Sequence, residues 1–507
     1  RRFRRAWLVT FAATMVVAVV WIIAQPPYSG SDEPAHFAEA QALYSGQFLP
    51  KLIPYYAEFE SGVATVRLPS NGSSCFITNP VVSAGCDQQS FKGNPTLKKA
   101  YIYVSREPFL VPLLTGLPAY LSPHRTGLYL ARFLNALIGA ALFATSVAMA
   151  LSRRRPFLLL GIVLAATPSV IAGFGVLGTS TLEIGSAALV WVSVALLMDG
   201  ETMTRGLRWA FTVGSVLLLL SRPISFVYLA LALLALAIAS RRRNWLPVIR
   251  GRDGAITVVV VGVVGVFALA WYLVVTAPYN PNYFAVQHLA PITTWHERIS
   301  LPIGASANYW SQAIGAVGYN EYNGPWWMTL IWTLVCGAAA GLGILLGRWR
   351  RAVAVAMLFV VLLGLQVVVQ AVTVSKIDLF WQGRYDLPVL AGILILSIAT
   401  LDHHRRRLPE LRRLAPVGIA FAGLGQLMLF LGAERRYIVG VKGTFDPLTW
   451  SSGWRPPIPV VLLVAAGIIA IASLYTLLVL HLRRIEPPSA VADPDQPAHS
   501  SEASLAP

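Results

Sequence analysis

Charge is what this chain has least of. Asp, Glu, Lys and Arg make up 12% of its 507 residues, against 56% apolar residues. Soluble domains sit near a quarter charged, so a water-solvated globular fold is excluded and a polytopic membrane protein is expected. Cysteine is scarce too. The three residues Cys75, Cys86 and Cys336 have no histidine nearby, which speaks against a zinc site. Internal repeats of the kind that mark many secondary transporters are lacking. The net charge of +17 would suggest nucleic acid in a soluble protein. Here the cations fall in short clusters between apolar runs, as cytoplasmic loops do, and no nucleic-acid partner is expected.

What is present is a series of hydrophobic runs. Arg1, Arg2, Arg4 and Arg5 precede an uninterrupted run from Ala6 to Ala24. At about 1.5 Å per residue it can cross a bilayer core, with its arginines on the cytoplasmic side. It is long for a signal-peptide core and has no convincing small-x-small cleavage site, so a retained anchor is expected. The segment Pro108–Leu121 is apolar but short. Counting it as a span would invert every later basic cluster, whereas a re-entrant or interfacial segment keeps them inside. The spans then fall at 6–24, 126–150, 157–176, 181–199, 208–221, 223–240, 254–276, 327–347, 351–372, 387–401, 414–433 and 457–481. This gives about 12 transmembrane helices, an all-α fold and two cytoplasmic termini in a plasma membrane. Arg241 to Arg243, Arg348, Arg350, Arg351 and Arg405 to Arg407 all land inside.

The expected organisation is an anchor (1–24), an outer loop with juxtamembrane helices (25–125), a membrane core (126–276), a second outer loop (277–326) and C-terminal membrane helices (327–485). A Pro-, Ala- and Ser-rich tail (486–507) is expected to be disordered. The long connections all lie outside, and so, on this reading, does the chemistry. A cysteine introduced at Ser90 should react with an impermeant thiol reagent from outside, and one at Ser152 should not; labelling of position 152 would overturn the topology.

Several polar residues stand where such chemistry would need them. Asp32 and Glu33 open the stretch Asp32-Glu33-Pro34-Ala35-His36-Phe37, just past the first span. Asp32 or Ser31 is placed to cap a helix from about Pro34 to Tyr44, with Asp32, His36 and Glu39 on one face. Two readings stand: a cap with acids that complement the helix dipole, or a catalytic base. Glu183 begins an otherwise apolar helix, where an ionisable group is costly and suggests a site. Arg132, Arg222 and Arg384 lie near the outer ends of other spans. Each serves as a snorkelling anchor or, taken together, as a set of forks for phosphate oxygens. His36, His288 and His296 are outside, and only His36 has acidic neighbours. Tyr279, Tyr283, Trp295, Tyr309, Trp310, Tyr319, Tyr322, Trp326 and Trp327 suit an interfacial belt, with a few available to stack on sugars. Cys75 and Cys86 share the first outer loop, where an oxidising compartment permits a disulfide; the alternative is two free thiols.

The order of these elements carries a resemblance. Asp32-Glu33-Pro34-Ala35-His36-Phe37, Arg132-Phe133-Leu134-Asn135, Leu182-Glu183-Ile184, Ser221-Arg222-Pro223 and Gln382-Gly383-Arg384-Tyr385 resemble the bacterial membrane family called domain of unknown function 2142, over roughly residues 5–450. Where members of that family often carry Asn-Pro before the glutamate, this chain has Gly178-Thr179. The N-terminal half is also similar, more distantly, to the GT-C glycosyltransferase superfamily. That resemblance implies interfacial helices in the first outer loop and a sugar donor carried on a polyprenyl phosphate. It implies Asp32, or Glu33, as base toward an acceptor on an envelope glycan or lipid. His36, Arg132, Glu183, Arg222, Arg384 and Tyr385 would bind the substrate and its phosphate. A divalent metal on Asp32 and Glu33 is weighed and set aside, because adjacent residues of a helix point in different directions. The alternatives are a transporter or flippase of lipid-linked glycans and a non-catalytic partner in envelope assembly.

Overall fold

In lipid every backbone N–H and C=O must be satisfied by the protein itself, and apolar runs of about 20 residues achieve this as helices. The computed structural model describes the chain apart from residues 49–50, 57–58, 70–74, 78, 90–92, 103, 105–106, 241–250, 277–293, 378, 405–412, 451–452 and 486–507. Ser90, Arg241 to Arg243, Tyr279, Tyr283, His288, Arg405 to Arg407 and the tail therefore lie outside the described residues. In chain order the elements begin with α1 (Arg2–Ala24), α2 (Glu33–Tyr44), β1 (Lys51–Tyr56), β2 (Phe59–Leu68) and β3 (Thr96–Tyr101). There follow α3 (Leu110–Thr115), α4 (Leu117–Leu121), α5 (Arg125–Ser152), α6 (Pro156–Ala165), α7 (Pro168–Gly173) and α8 (Ser180–Met198). Next come α9 (Arg205–Leu219), α10 (Ser225–Ala239), α11 (Arg252–Trp271), α12 (Trp295–Gly315) and α13 (Trp326–Leu346). The last are α14 (Trp349–Ile377), α15 (Leu387–Ala399), α16 (Leu414–Val439) and α17 (Val460–Ile485).

Each expected span contains a helix. Among the described residues eight helices, namely α1, α5, α8, α11, α13, α14, α16 and α17, are long and apolar enough to cross a membrane. Helices α6, α10 and α15 are apolar but shorter. For α6 and α15 the reason is burial. Every residue of α6 and α15 is buried, α15 packing against α6 and α8. A helix apolar all round belongs in a core, and in that position its length need not match a bilayer. The expected single span 157–176 is broken into α6 and α7, because Pro168 has no N–H and restrains the residue before it. At the break the Thr167 hydroxyl donates to the Ala313 carbonyl at 2.8 Å. At the other end of α6, the Asp402 carboxylate accepts the N–H groups of Phe157 and Leu158, each at 3.1 Å. These are helix-terminal donors with no partner inside α6.

The segment 108–121 forms only the short helices α3 and α4, against α2 and α5, too short to cross. The first loop also holds a feature outside the expected helical pattern, an antiparallel sheet in the order β1-β2-β3. Its inward residues Ala64, Val66 and Ala100 pack on Ala35, Ala38 and Ala42 of α2. The spacing of those alanines puts them on one helix face. The opposite face presents Phe37 and Ala40 to Ala119, Leu128, Ala131 and Leu177. Thus α2 is clamped between sheet and bundle, which fixes where its N-terminus points. The loop 277–326 carries the helix α12, begun by a reciprocal capping box between Thr294 and Glu297.

Candidate functional site

The site collects at the end of the bundle where α1 finishes and α2, α8, α10 and α15 begin. Asp32 occupies the position before α2, but its side chain makes no capping bond, and its backbone is left-handed with φ 64°. Aspartate tolerates that region better than most residues, still at a cost of order 1 kcal/mol. The carboxylate is turned away from the helix and accepts a hydrogen bond from Nη2 of Arg384, some 350 positions later in the chain. The cap reading of Asp32 is thereby corrected: strain at this residue serves a contact across the bundle.

Glu33 and Arg132 have a different fate from the one expected. Both are fully buried and form a two-pronged pair, Nε to Oε1 at 2.7 Å and Nη2 to Oε2 at 2.6 Å. The remaining donors of Arg132 go to the carbonyls of Ile22 (3.3 Å), Gln25 (2.8 Å) and Pro26 (2.7 Å). Glu33 Oε1 also takes the N–H of Leu177 at 2.9 Å. An arginine has five N–H donors, and all five are engaged. Arg132 therefore has nothing left for a phosphate and Glu33 is not available as a base; the pair ties the end of α1 to α2, α5 and the turn before α8. It also removes the donor set a divalent ion would need at Asp32 and Glu33. Among the described residues no group of three His, Cys, Asp or Glu side chains is placed to hold a metal ion.

Glu183 and Arg222 do meet. Arg222 Nη1 donates to Glu183 Oε2 at 2.7 Å, and Ser225 donates to Glu183 Oε1 at 3.0 Å. Arg222 Nε reaches Glu107 at 2.7 Å, a residue that sequence reasoning did not single out. Its only signal was position, a lone acid directly before the apolar segment at Pro108. The second oxygen of Glu107 is buried and has no hydrogen-bond partner among the described residues. The Tyr385 ring lies between two guanidiniums, Arg222 at 5.3 Å and Arg384 at 5.4 Å from its centroid. Its backbone carbonyl accepts from the Tyr228 hydroxyl at 2.6 Å. The tight turn holding Arg384 needs glycine at 383, since a Cβ there would collide with the Tyr309 carbonyl; the Gly383 N–H donates to Gln312 at 2.9 Å.

Two cavities adjoin this cluster. The larger, of about 1000 Å³, is lined by Asp32, Glu107, Arg222, Tyr385 and the aromatic residues Tyr309, Tyr319, Phe380 and Trp381. The smaller, of about 90 Å³, lies on the side of Arg384, Ser31, Ser180 and Thr181. Gln312 and Asn320 line both, so Arg384 and its Asp32 contact stand in the wall between them. Glu183 sits behind Arg222, fully buried. The charges are three carboxylates (Asp32, Glu107, Glu183) against two guanidiniums (Arg222, Arg384), a local excess of one negative charge.

His36 lines neither cavity. It is buried against Gly178, with its Nδ1 3.5 Å from Glu39 of the same helix. Burial alone would lower its pKa, but Glu39, Glu107 and Asp32 outweigh that and raise it. Burial raises the pKa of Glu39 as well. Asp386, beside the site, is pushed up to about 7 by burial, against a hydrogen bond from Trp381. All three shifts are upward, so folding takes up protons. The contribution of Asp386 is complete below its ordinary value of 3.8 and is lost as pH rises through about 7. Melting temperature should therefore fall between pH 4 and pH 8, and Asp386→Asn should flatten the profile. An unchanged slope in that variant would show that Asp386 does not carry it.

Cys75 and Cys86 are joined in a disulfide. The loop it closes rests on α16, where Arg436 donates to the carbonyls of Phe76 (2.6 Å) and Val82 (2.8 Å). Neither cysteine lines the two cavities.

The family described as Predicted membrane protein (DUF2142) matches residues 15–393. No curated protein matches the sequence. Among solved structures, ArnT from Cupriavidus metallidurans bound to undecaprenyl phosphate is similar at 14% identity and a TM-score of 0.41, over 94% of this chain and 77% of that one. The apo state of the same protein gives 15% identity and a TM-score of 0.41, over 95% and 78%.

Proposed function

The chain belongs to the DUF2142 family, and we propose that it is a membrane glycosyltransferase moving a sugar from a polyprenyl-phosphate donor to an envelope glycan or lipid acceptor at the outer membrane surface. The observation that carries this reading is the pair of carboxylates, Asp32 and Glu107, facing one aromatic-walled cavity beside Arg222. Tyr and Trp faces suit sugar rings. A general base must be within reach of the proton it takes, and Asp32 lines this cavity.

In the reaction the acceptor hydroxyl oxygen bonds to the anomeric carbon as the bond from that carbon to the phosphate oxygen breaks. The hydroxyl proton passes to Asp32, and polyprenyl phosphate leaves with the electron pair. Charge growing on the leaving oxygen requires preorganised donors. Arg222 offers Nη2, which no described residue holds, and Arg384 offers Nε, buried without a partner among the described residues. Arg384 also orients Asp32, and Glu183 holds Arg222 in place.

Lysine retains the charge of arginine but not its planar fork. Arg384→Lys, assayed with candidate polyprenyl-phosphate sugars, should lower kcat at least 10-fold because Asp32 loses its orientation. Arg222→Lys should act mainly on KM for the lipid donor. Full turnover in both variants, with unchanged melting, would remove the arginines from the reaction.

A further inference from the structure

The Tyr385 ring stands at the centre of the site, yet no step of the proposed reaction uses it. Its centroid is 5.3 Å from the guanidinium carbon of Arg222 and 5.4 Å from that of Arg384, both within cation–π range. The same residue lines the larger cavity. The two guanidiniums come from distant parts of the chain, one from the turn between α9 and α10 and the other from the turn before α15. Like charges brought to one site repel each other. The negative face of an aromatic ring offsets that repulsion and gives each cation a fixed surface to rest on.

The ring is itself held from several directions. Its backbone carbonyl accepts from the Tyr228 hydroxyl of α10 at 2.6 Å, and its N–H donates to the Gln382 carbonyl at 2.9 Å. The Trp381 ring meets it edge to face, with centroids 5.5 Å apart and planes at 75°. Trp381 is fixed in turn. Its indole N–H donates to the Asp386 carboxylate at 3.1 Å, and its backbone N–H donates to Gln370 at 3.2 Å. A scaffold of this kind matters where geometry sets rate, since a displacement of about 1 Å in a site can cost roughly 10²-fold. Arg222 has hydrogen bonds of its own to Glu107 (2.7 Å), Ser180 (3.2 Å) and Glu183 (2.7 Å). Through Arg384 the ring bears on the base, because Arg384 Nη2 donates to Asp32.

We infer that Tyr385 is a positioning residue: its ring, rather than its hydroxyl, sets where the guanidiniums of Arg222 and Arg384 stand, and through Arg384 it orients Asp32. This rests on the glycosyltransferase reading above. Tyr385 then acts through the arginines and not by holding the sugar or the phosphate itself.

The test compares full-length parent, Tyr385→Leu and Tyr385→Phe in detergent, with two further proteins carrying phenylalanine with one or three ring fluorines at position 385. Fluorine withdraws electrons from the π face while the ring keeps its shape. Transfer from polyprenyl-phosphate sugars is measured, with binding of polyprenyl phosphate by native mass spectrometry and thermal melting as controls. Tyr385→Leu should lose at least about 10-fold in kcat, with a smaller change in KM for the donor, and Tyr385→Phe should restore most of that loss. Across the fluorinated rings kcat should fall stepwise, by about 5-fold at three fluorines. A ring that only fills space would leave kcat flat across that series, which decides the matter even where Tyr385→Leu folds poorly. Flat kcat in an active protein, or a loss in Tyr385→Phe equal to that in Tyr385→Leu, would overturn the inference and leave the glycosyltransferase reading standing. A parent that neither transfers sugar nor binds polyprenyl phosphate would overturn that reading, and the role of Tyr385 with it.

Discussion

Asp32→Asn should reduce sugar transfer by about 10²-fold or more, the scale of losing a general base, while leaving the fold nearly intact. Asparagine matches aspartate in size and tolerates the left-handed backbone that residue 32 adopts. Because the side chain caps nothing, no helix-terminal bond is lost. The amide oxygen can still accept from Arg384, so the arginine keeps a partner. What disappears is proton acceptance and one negative charge. Purified parent and variant would be compared in transfer from polyprenyl-phosphate sugars, with melting as the control for folding. Full activity would move the base to Glu107, the other carboxylate facing the cavity. A large fall in melting temperature with a proportionate loss of activity would make the Asp32–Arg384 contact structural.

The long helices were legible because their signal is local: apolar runs of bilayer length between basic clusters. The split at Pro168 was legible too, but read as one span because hydropathy does not register a missing N–H. The sheet of the first loop escaped for another reason. Ala64 and Val66 alternate with exposed Thr65 and Arg67, but the period is short and its partner, the alanine face of α2, became evident only after folding. At the site, residue types and end-of-span positions brought Asp32, Glu183, Arg222 and Arg384 together in expectation. Sequence did not distinguish Asp32 from Glu33, or Arg222 from Arg132, because the partners each side chain meets in the fold decide between them. One acid of the adjacent pair enters the core with one arginine, and the other acid faces a cavity with a different arginine.

That division predicts the largest loss of stability in the molecule at Arg132. Removing one partner of a buried ion pair leaves an uncompensated charge, a change that costs about 3–5 kcal/mol. Arg132→Gln would strand the Glu33 carboxylate, both residues being fully buried, and would release the carbonyls of Ile22, Gln25 and Pro26 from their donor. The variant should fail to yield folded protein, or melt far below the parent in detergent. Arg132→Lys should fare little better, because three rotatable ammonium donors cannot reproduce five in a planar fork. Replacing both partners with apolar residues, as in Glu33→Leu with Arg132→Met, should recover much of the loss, since no buried charge then remains. A role for Arg132 in binding phosphate predicts the opposite pattern: normal melting, a raised KM for the lipid donor, and no rescue by the double substitution. Melting curves and donor titrations on the same four proteins would decide between them, and a stable, weak-binding Arg132→Gln would return Arg132 to the substrate site.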